Sequence, residues 1–325
     1  MSDGFKLGNG KDFYHQQFPE TKYLVDGFLE CKTYSILSGD TGIGKSLIAH
    51  QIGIALSGGV DEILGFSIPK KRRVLYFNFE LSMQEFNKRH KLIANGLGCM
   101  DDLDKFQFNI VGKSRGIFQD NWGRIKETVK ENERFDLIIV DNLYASTNGD
   151  DERNIHLKLI LQNIFDVAGI HDSGILIVNH HRKHPEEDPL SINMIRGGSN
   201  LVNAAHTVIQ LGRSLQNPEL RYMKITKSRG ASEYLLKPLG LMFDDTTMLF
   251  ENTWDFDETY HLSRTNNIQD NILYNLPDQF SSKEFVKEVA SNGLNTKTSY
   301  NWLKDLKEKG HIDKIAHGRY VKKSN

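Results

Sequence analysis

The chain has 325 residues, 26% charged and 38% hydrophobic, with a formal net charge of −1. That length predicts two domains, or one large domain plus a small one, with a proper core, and the near-zero charge excludes a global basic field, so any nucleic-acid contact must come from local patches. Only Cys31 and Cys99 are present, no stretch approaches the ~20 apolar residues of a membrane span, and Met1–Lys6 lacks the apolar core of a signal peptide. A cytoplasmic protein in a reducing compartment, with no membrane partner, is therefore expected.

Residues 1–32 read as a polar, irregular lead-in, with 18–25 expected to pack beside the site that follows. Tyr34, Ile36 and Leu37 form a short β-like run that enters Gly39-Asp40-Thr41-Gly42-Ile43-Gly44-Lys45-Ser46. This is the full P-loop spacing, with a strand before it and a helix (45–57) after it. Its glycines let backbone N–H groups converge on phosphate, Lys45 can reach the β- and γ-phosphates, and the Ser46 hydroxyl can ligate Mg²⁺. ATP and Mg²⁺ are the expected cofactors. Strands are then predicted over 73–79, 106–111, 135–141 and 173–179, and helices over 82–96, 120–132 and 152–170. A loop over 182–197, a short helix 199–204, and strands near 206–212, 220–227 and 233–243 follow. Continuous apolar strands alternating with helices predict an α/β, doubly wound, mostly parallel sheet.

In such sheets ligands bind at the carboxyl ends of the strands. Asp141 ends an apolar strand and is expected to hold Mg²⁺ together with Ser46. Glu80 ends the strand after the P-loop helix and is suited to orient and deprotonate a water. His180 is a candidate γ-phosphate sensor, with His181 as its outward neighbour. Lys227 and Arg229 form a cationic turn suited to phosphate of a neighbouring subunit. Solvated helix caps, a buried structural histidine and ordinary turn charges are the bland alternatives.

With Tyr76–Glu80, Leu137–Asp141, Val178–His181, Arg196–Ser199 and Lys227–Arg229 added to the P-loop, roughly residues 20–245 resemble the RecA-fold ATPases, and among them most the RepA-type replicative helicases of plasmids and phages. The resemblance implies a hexameric ring with ATP between subunits. It implies Glu80 as catalytic carboxylate, Asp141 on Mg²⁺ and His180 coupling ATP to DNA, with Lys227 and Arg229 acting in trans. The loops 144–153 and 182–198 would line a channel for single-stranded DNA, with Arg182, Lys183 and Arg196 as phosphate contacts; Glu186, Glu187 and Asp188 interrupt the second of them.

Residues 251–267 are acidic then polar and read as a linker. From 268 to 325, helices 268–275, 281–290 and 296–309 precede a hairpin over 310–323, a pattern similar to winged helix-turn-helix domains. Thr296 is the expected cap of the third helix. Tyr300, Leu303 and Leu306 are its expected core face, and Lys297, Asn301 and Lys304 point outward, with Arg319 on the wing. Contact with duplex DNA is expected there, and a protein-interaction module is the alternative. The whole reads as four parts, 1–32, 33–250, 251–267 and 268–325. It is expected to be a Mg²⁺-dependent ATPase of the helicase or translocase kind, or an ATP-switched DNA-binding regulator or loader without unwinding activity.

Overall fold

A computed structural model describes residues 9–17, 20–100, 108–112, 122–142, 153–197, 199–230, 237–253, 256–262, 269 and 272–323. The 144–152 stretch of the first proposed channel loop lies outside them, as do residues 1–8 and 18–19 of the lead-in.

In chain order the first elements are α1 (Gly10–His15), β1 (Tyr23–Val25), β2 (Leu29–Glu30), β3 (Tyr34–Gly39), α2 (Lys45–Gly58), β4 (Glu62–Ile63), β5 (Phe66–Ser67) and β6 (Val74–Asn78). Then come α3 (Met83–Gly96), β7 (Phe108–Gly112), α4 (Trp122–Glu131), β8 (Leu137–Asp141), α5 (Arg153–His171) and β9 (Gly174–His180). They are followed by α6 (Ser199–Ala204), β10 (Thr207–Arg213), β11 (Leu220–Ser228), β12 (Leu239–Asp244), β13 (Leu249–Asn252) and α7 (Glu258–Leu262). The nine-stranded sheet has the order β13-β12-β11-β10-β3-β9-β8-β6-β7. The strands from β10 to β7 in that order are mutually parallel, and β11, β12 and β13 pair antiparallel beyond β10.

The pleat explains why these strands carry apolar residues at successive positions. Leu37, Tyr76, Ile139, Leu176 and Val178 point to the face covered by α2. Their neighbours Ile36, Phe77, Ile138, Val140, Ile175 and Ile177 point to the face covered by α4, α5 and α6. Each strand is buried on both sides, as in parallel sheets. Right-handed crossovers place connections running one way along the sheet on one face and those running back on the other. The chain steps from β3 out to β6 and β7, then returns through β8 and β9 to β10 on the other side of β3. The P-loop therefore leaves β3 where the winding reverses, the crevice at which open sheets bind ligands.

Three expectations are corrected here. The lead-in is not irregular where it is described: Leu24, Val25, Phe28 and Leu29 are buried in the main core. This hairpin does not lie beside the P-loop. Leu24 packs against Gly174 at the start of β9, and Glu30 meets His206 before β10, so it seals the opposite, amino end of the strands. The expected linker begins inside β13 and includes α7. Glu258 of α7 accepts from the Leu190 backbone and pairs with Lys224, while Phe256 stacks on Tyr222. Its acidic composition is that of a segment covering a basic strand rather than of a free tether. Between α2 and β6 the chain forms the small hairpin β4–β5.

The C-terminal residues carry their own core, formed by Ile272, Phe280, Phe285, Val289, Trp302, Leu303, Leu306 and Ile312 among others. A helical turn over 272–275 leads to β14 (Gln279–Ser281), α8 (Ser282–Ser291), α9 (Thr296–Glu308), β15 (Ile312–Ala316) and β16 (Arg319–Lys322), with sheet order β14-β16-β15. Ser281 and Glu284 make a reciprocal capping box on α8. Asn295, not Thr296, caps α9, its side chain accepting from the Thr298 N–H. Tyr300 is 59% exposed and Trp302 takes the core position instead. Ser299, Trp302, Leu303 and Leu306 make the inward stripe at i, i+3, i+4 and i+7, which leaves Tyr300 outside it. Lys297, Asn301, Lys304 and Arg319 are exposed, as expected.

Candidate active site

The P-loop is shaped by backbone needs before any chemistry. Gly42 and Gly44 have φ of 76° and 108°, in the left-handed region that favours glycine. A Cβ on Gly44 would also lie 2.5 Å from the Phe250 ring. That ring is fixed because Gln51 of α2 grips the Phe250 backbone, donating to its carbonyl and accepting from its N–H, both at 3.0 Å. β13, far along the sheet order, thus folds back onto the helix that carries the P-loop.

Beside the loop lies a cavity of about 200 Å³ whose lining includes Gly42, Lys45, Ser46, Glu80, Arg89 and His180. Lys45 donates to the Asp40 carbonyl at 2.7 Å. Ser46 Oγ donates to Asp141 Oδ1 at 3.0 Å, and the Tyr76 hydroxyl donates to Asp141 Oδ2 at 2.8 Å. Asn142 Nδ2 donates to Glu80 Oε2 at 3.0 Å and lies 2.8 Å from His180 Nε2. With that amide donating, His180 accepts at Nε2 and carries its proton on Nδ1. The structure therefore brings Lys45, Ser46, Glu80, Asp141 and His180 to one crevice at the ends of β3, β6, β8 and β9.

Burial sets the electrostatics. It lowers Lys45 to about 8, against the opposing charges of Glu80, Asp141 and Asp40. It raises Asp141 to about 6, helped by Glu80 and opposed by the Tyr76 and Ser46 hydrogen bonds and by Lys45. His180 is held below its ordinary value, first by burial and then by the charge of Lys45. An acid and a base buried together, each disfavoured in its charged form, suit a site that receives a phosphate and a divalent cation. Ser46 and Asp141 have the hard oxygen donors that Mg²⁺ takes.

Lys227 and Arg229 lie elsewhere. Val208 of β10 pairs with both Lys227 and Ile36, whereas Gly39 pairs with Leu211. The two cations thus sit toward the amino end of β3, away from their own P-loop. Lys227 donates to the Val202 and Asn203 carbonyls and Arg229 to that of Asn203, at the C-terminus of α6.

The loop after β9 is anchored. The Arg182 N–H bonds the Met194 carbonyl, its guanidinium donates to the Ile195 carbonyl, and Asn179 donates to the Arg196 carbonyl. Leu190, Met194 and Ile195 are buried. Lys183 lines a second cavity, of about 600 Å³, beside Asp40. His181 is not an outward neighbour: its side chain is 0% exposed and meets Gln210. His180 turns to the nucleotide cavity because successive residues of a strand face opposite sides, which sends His181 inward.

Asn142, Tyr76 and Arg89 also belong to the site, although the sequence assigns none of them a role of its own. Tyr76 pairs with Ile139, two residues before Asp141, so a hydroxyl inside an otherwise apolar strand was the available signal. Arg89 carried none beyond its place on the helix after Glu80.

No curated protein matches the chain in sequence. Among solved structures it is similar to an ATPase domain (TM-score 0.52, 14% identity, covering 68% of this chain and 84% of that one). It is also similar to the RadB recombinase (0.48, 16%, 69% and 91%) and to the KaiC-like protein PH0186 from Pyrococcus horikoshii OT3 (0.48, 17%, 70% and 93%). The first of these supports the RecA-like fold. The AAA-domain family matches residues 9–186, more than half of the chain, and the match includes the P-loop, Glu80, Asp141 and His180. The chain belongs to the AAA-domain family and is a P-loop ATPase of the RecA fold.

Proposed function

We propose that the protein is a Mg²⁺-dependent ATPase that works on DNA as a ring-shaped helicase or translocase, with each ATP site completed by a neighbouring subunit. The observation that carries this reading is the division of the charged groups. Lys45, Ser46, Glu80 and Asp141 gather at one end of the sheet, and Lys227 and Arg229 stand toward the other, out of reach of their own nucleotide. In the proposed cycle the P-loop N–H groups and Lys45 hold the phosphates. Ser46 and Asp141 would hold Mg²⁺, which when bound neutralises developing charge on the phosphates. Glu80, held by Asn142, orients and deprotonates the attacking water, and His180 reads the γ-phosphate through the same Asn142. Lys227 and Arg229 stabilise the transferring phosphoryl group of the next subunit.

The DNA contacts belong to the same proposal. Arg182, Lys183 and Arg196 stand on the loop after β9, and channel contacts would come from that loop together with 144–153. Residues 268–325 read as a winged helix that lays α9 on duplex DNA through Lys297, Asn301 and Lys304, with Arg319 on the β15–β16 wing. The ATPase domain then runs through α7 rather than ending at 250.

The experiment is ATP hydrolysis with and without single-stranded DNA, run beside a mass measurement in ATP, with Glu80→Gln as control. Stimulation by DNA, ring-sized particles in ATP and an inactive but ATP-binding control are expected. A monomer whose hydrolysis ignores DNA overturns the proposal. An ATPase that assembles yet never separates a forked duplex favours the regulator or loader.

A further inference from the structure

Asp40 of the P-loop and two histidines of the segment after β9 bring a carboxylate oxygen and two ring nitrogens together. Asp40 Oδ1 lies 3.2 Å from His184 Nε2 and 3.5 Å from His181 Nδ1, and all three ligand atoms fall within 4.8 Å of one another. His184 Nδ1 is 2.7 Å from the Pro185 carbonyl, which can only accept, so the ring proton is on Nδ1. Neutral His184 then presents a lone pair from Nε2 to a carboxylate oxygen. His181 Nδ1 is buried, aimed at the same point and without a hydrogen-bond partner among the described residues. Its Nε2 is 2.8 Å from the Gln210 side-chain amide. The amide nitrogen faces Nε2 and leaves Gln210 Oε1 without a partner; with the amide turned over so that its oxygen accepts from Nε2–H, the Nδ1 lone pair is free.

Lone pairs from two imidazoles and a carboxylate do not converge without a positive charge between them. Zinc bonds to nitrogen and oxygen of about 2.1 Å arranged tetrahedrally set ligand atoms about 3.4 Å apart, close to the two separations from Asp40. Each histidine also has the outer partner that metal-bound imidazoles use, a backbone carbonyl for His184 and a side-chain amide for His181. We propose that Asp40, His181 and His184 form a binding site for a divalent transition-metal ion of the zinc class, with a fourth position open to the cavity of about 600 Å³. Two histidines and one carboxylate favour such an ion over Mg²⁺ or Ca²⁺, which take all-oxygen sets. Glu186 and Asp188 line the same cavity and add negative charge, and Lys183 opposes it. The ion would tie the second residue of the P-loop to the loop after β9. It is separate from the Ser46–Asp141 pair, and its existence does not depend on ATP hydrolysis.

The test uses the full chain without an affinity tag, stripped with chelator and titrated with Co²⁺ in the absence of nucleotide and Mg²⁺. One equivalent of Co²⁺ with the intense visible absorption of a four-coordinate site, displaced by one equivalent of Zn²⁺, is expected. His184→Ala, and independently Asp40→Asn, should weaken Zn²⁺ binding by at least about tenfold, while Asp141→Asn leaves it intact. Circular dichroism checks that each variant is folded. The proposal is overturned if Co²⁺ gives only the faint spectrum of a six-coordinate ion. It is equally overturned if a folded His184→Ala or Asp40→Asn protein binds Zn²⁺ as the parent does, because a proton on His184 then accounts for the contact.

Discussion

Asn142 is the shared partner of Glu80 and His180, and Asn142→Ala removes both contacts without touching either residue. The hydrogen bond to neutral His180 contributes about 0.5–1.5 kcal/mol, and one to an ionised group about 1.5–3 kcal/mol. Glu80 is exposed, so water replaces the amide there and most of the second figure is recovered. A stability loss of about 1–2 kcal/mol is expected in urea melts, with the m-value unchanged. The catalytic effect should be larger. A positioned general base contributes about 10²–10⁴ in rate, and a base that is present but unheld keeps only part of that. A fall in kcat of about 10–100-fold is expected, equal to about 1.4–2.7 kcal/mol of barrier. Steady-state hydrolysis at saturating MgATP measures it, and a double-mutant cycle with Glu80→Gln isolates the mechanism. If Asn142 acts through Glu80, its removal in the Glu80→Gln background costs less than about threefold. Independent, multiplicative effects, or a single variant with kcat within about twofold of the parent, would refute the reasoning.

Gly44→Ala adds a Cβ at φ 108° and 2.5 Å from the Phe250 ring, so loss of nucleotide binding is expected in a fluorescent-nucleotide titration. Phe250→Leu should recover the steric part but not the backbone part, about 1–3 kcal/mol. Trp302→Ala opens the separate C-terminal core at a cost of about 3–5 kcal/mol; duplex binding should disappear while basal ATP hydrolysis persists, and a parallel loss of both would contradict an independent core. The alkaline limb of kcat/KM for ATP should lie near pH 8, where Lys45 loses its charge, falling up to about tenfold per pH unit beyond it. The stability of the free protein runs the other way: Lys45 is charged in both states below pH 8, and between there and its unfolded value of 10.5 the unfolded chain binds the extra proton, so its contribution to stability rises with pH.

The crevice residues were legible because each ends a strand whose apolar run is visible in one dimension. Gly39, Glu80, Asp141 and His180 could be aligned before the sheet order was known, since parallel strands buried on both faces bring their carboxyl ends together. What could not be read were contacts made across strands or from distant segments. Tyr76 reaches Asp141 because β6 and β8 are neighbours in one register. Phe250 covers Gly44 only because the sheet curls β13 back over α2. His181 looked like an outward residue because a polar side chain at a strand end ordinarily is one; its burial depends on Gln210 of β10, the strand that flanks β3 on the side away from β9. The acidic 256–262 segment resembled a tether because composition does not show that Glu258 has Lys224 to pair with.

The phosphate- and metal-binding groups of the free site already have partners, and this bears on what ligand binding must do. Lys45 already donates to the Asp40 carbonyl, and Ser46 already donates to Asp141. Entry of a triphosphate exchanges those bonds for bonds to the ligand, so neutral exchanges alone contribute little. The larger gain lies in charge. Lys45 and Asp141 are each held in an environment that disfavours ionisation, and a phosphate beside one and a divalent cation beside the other reverse both penalties together. Neither ligand component alone can do so, which is a physical reason for the ion and the nucleotide to bind as a pair. The same logic extends to Lys227 and Arg229, whose present partners are α6 carbonyls, weaker acceptors than a phosphoryl oxygen. In the proposed ring a neighbour's nucleotide would draw both cations from those carbonyls. Occupancy of one ATP site would then change the set of bonds that holds α6 in the adjoining subunit.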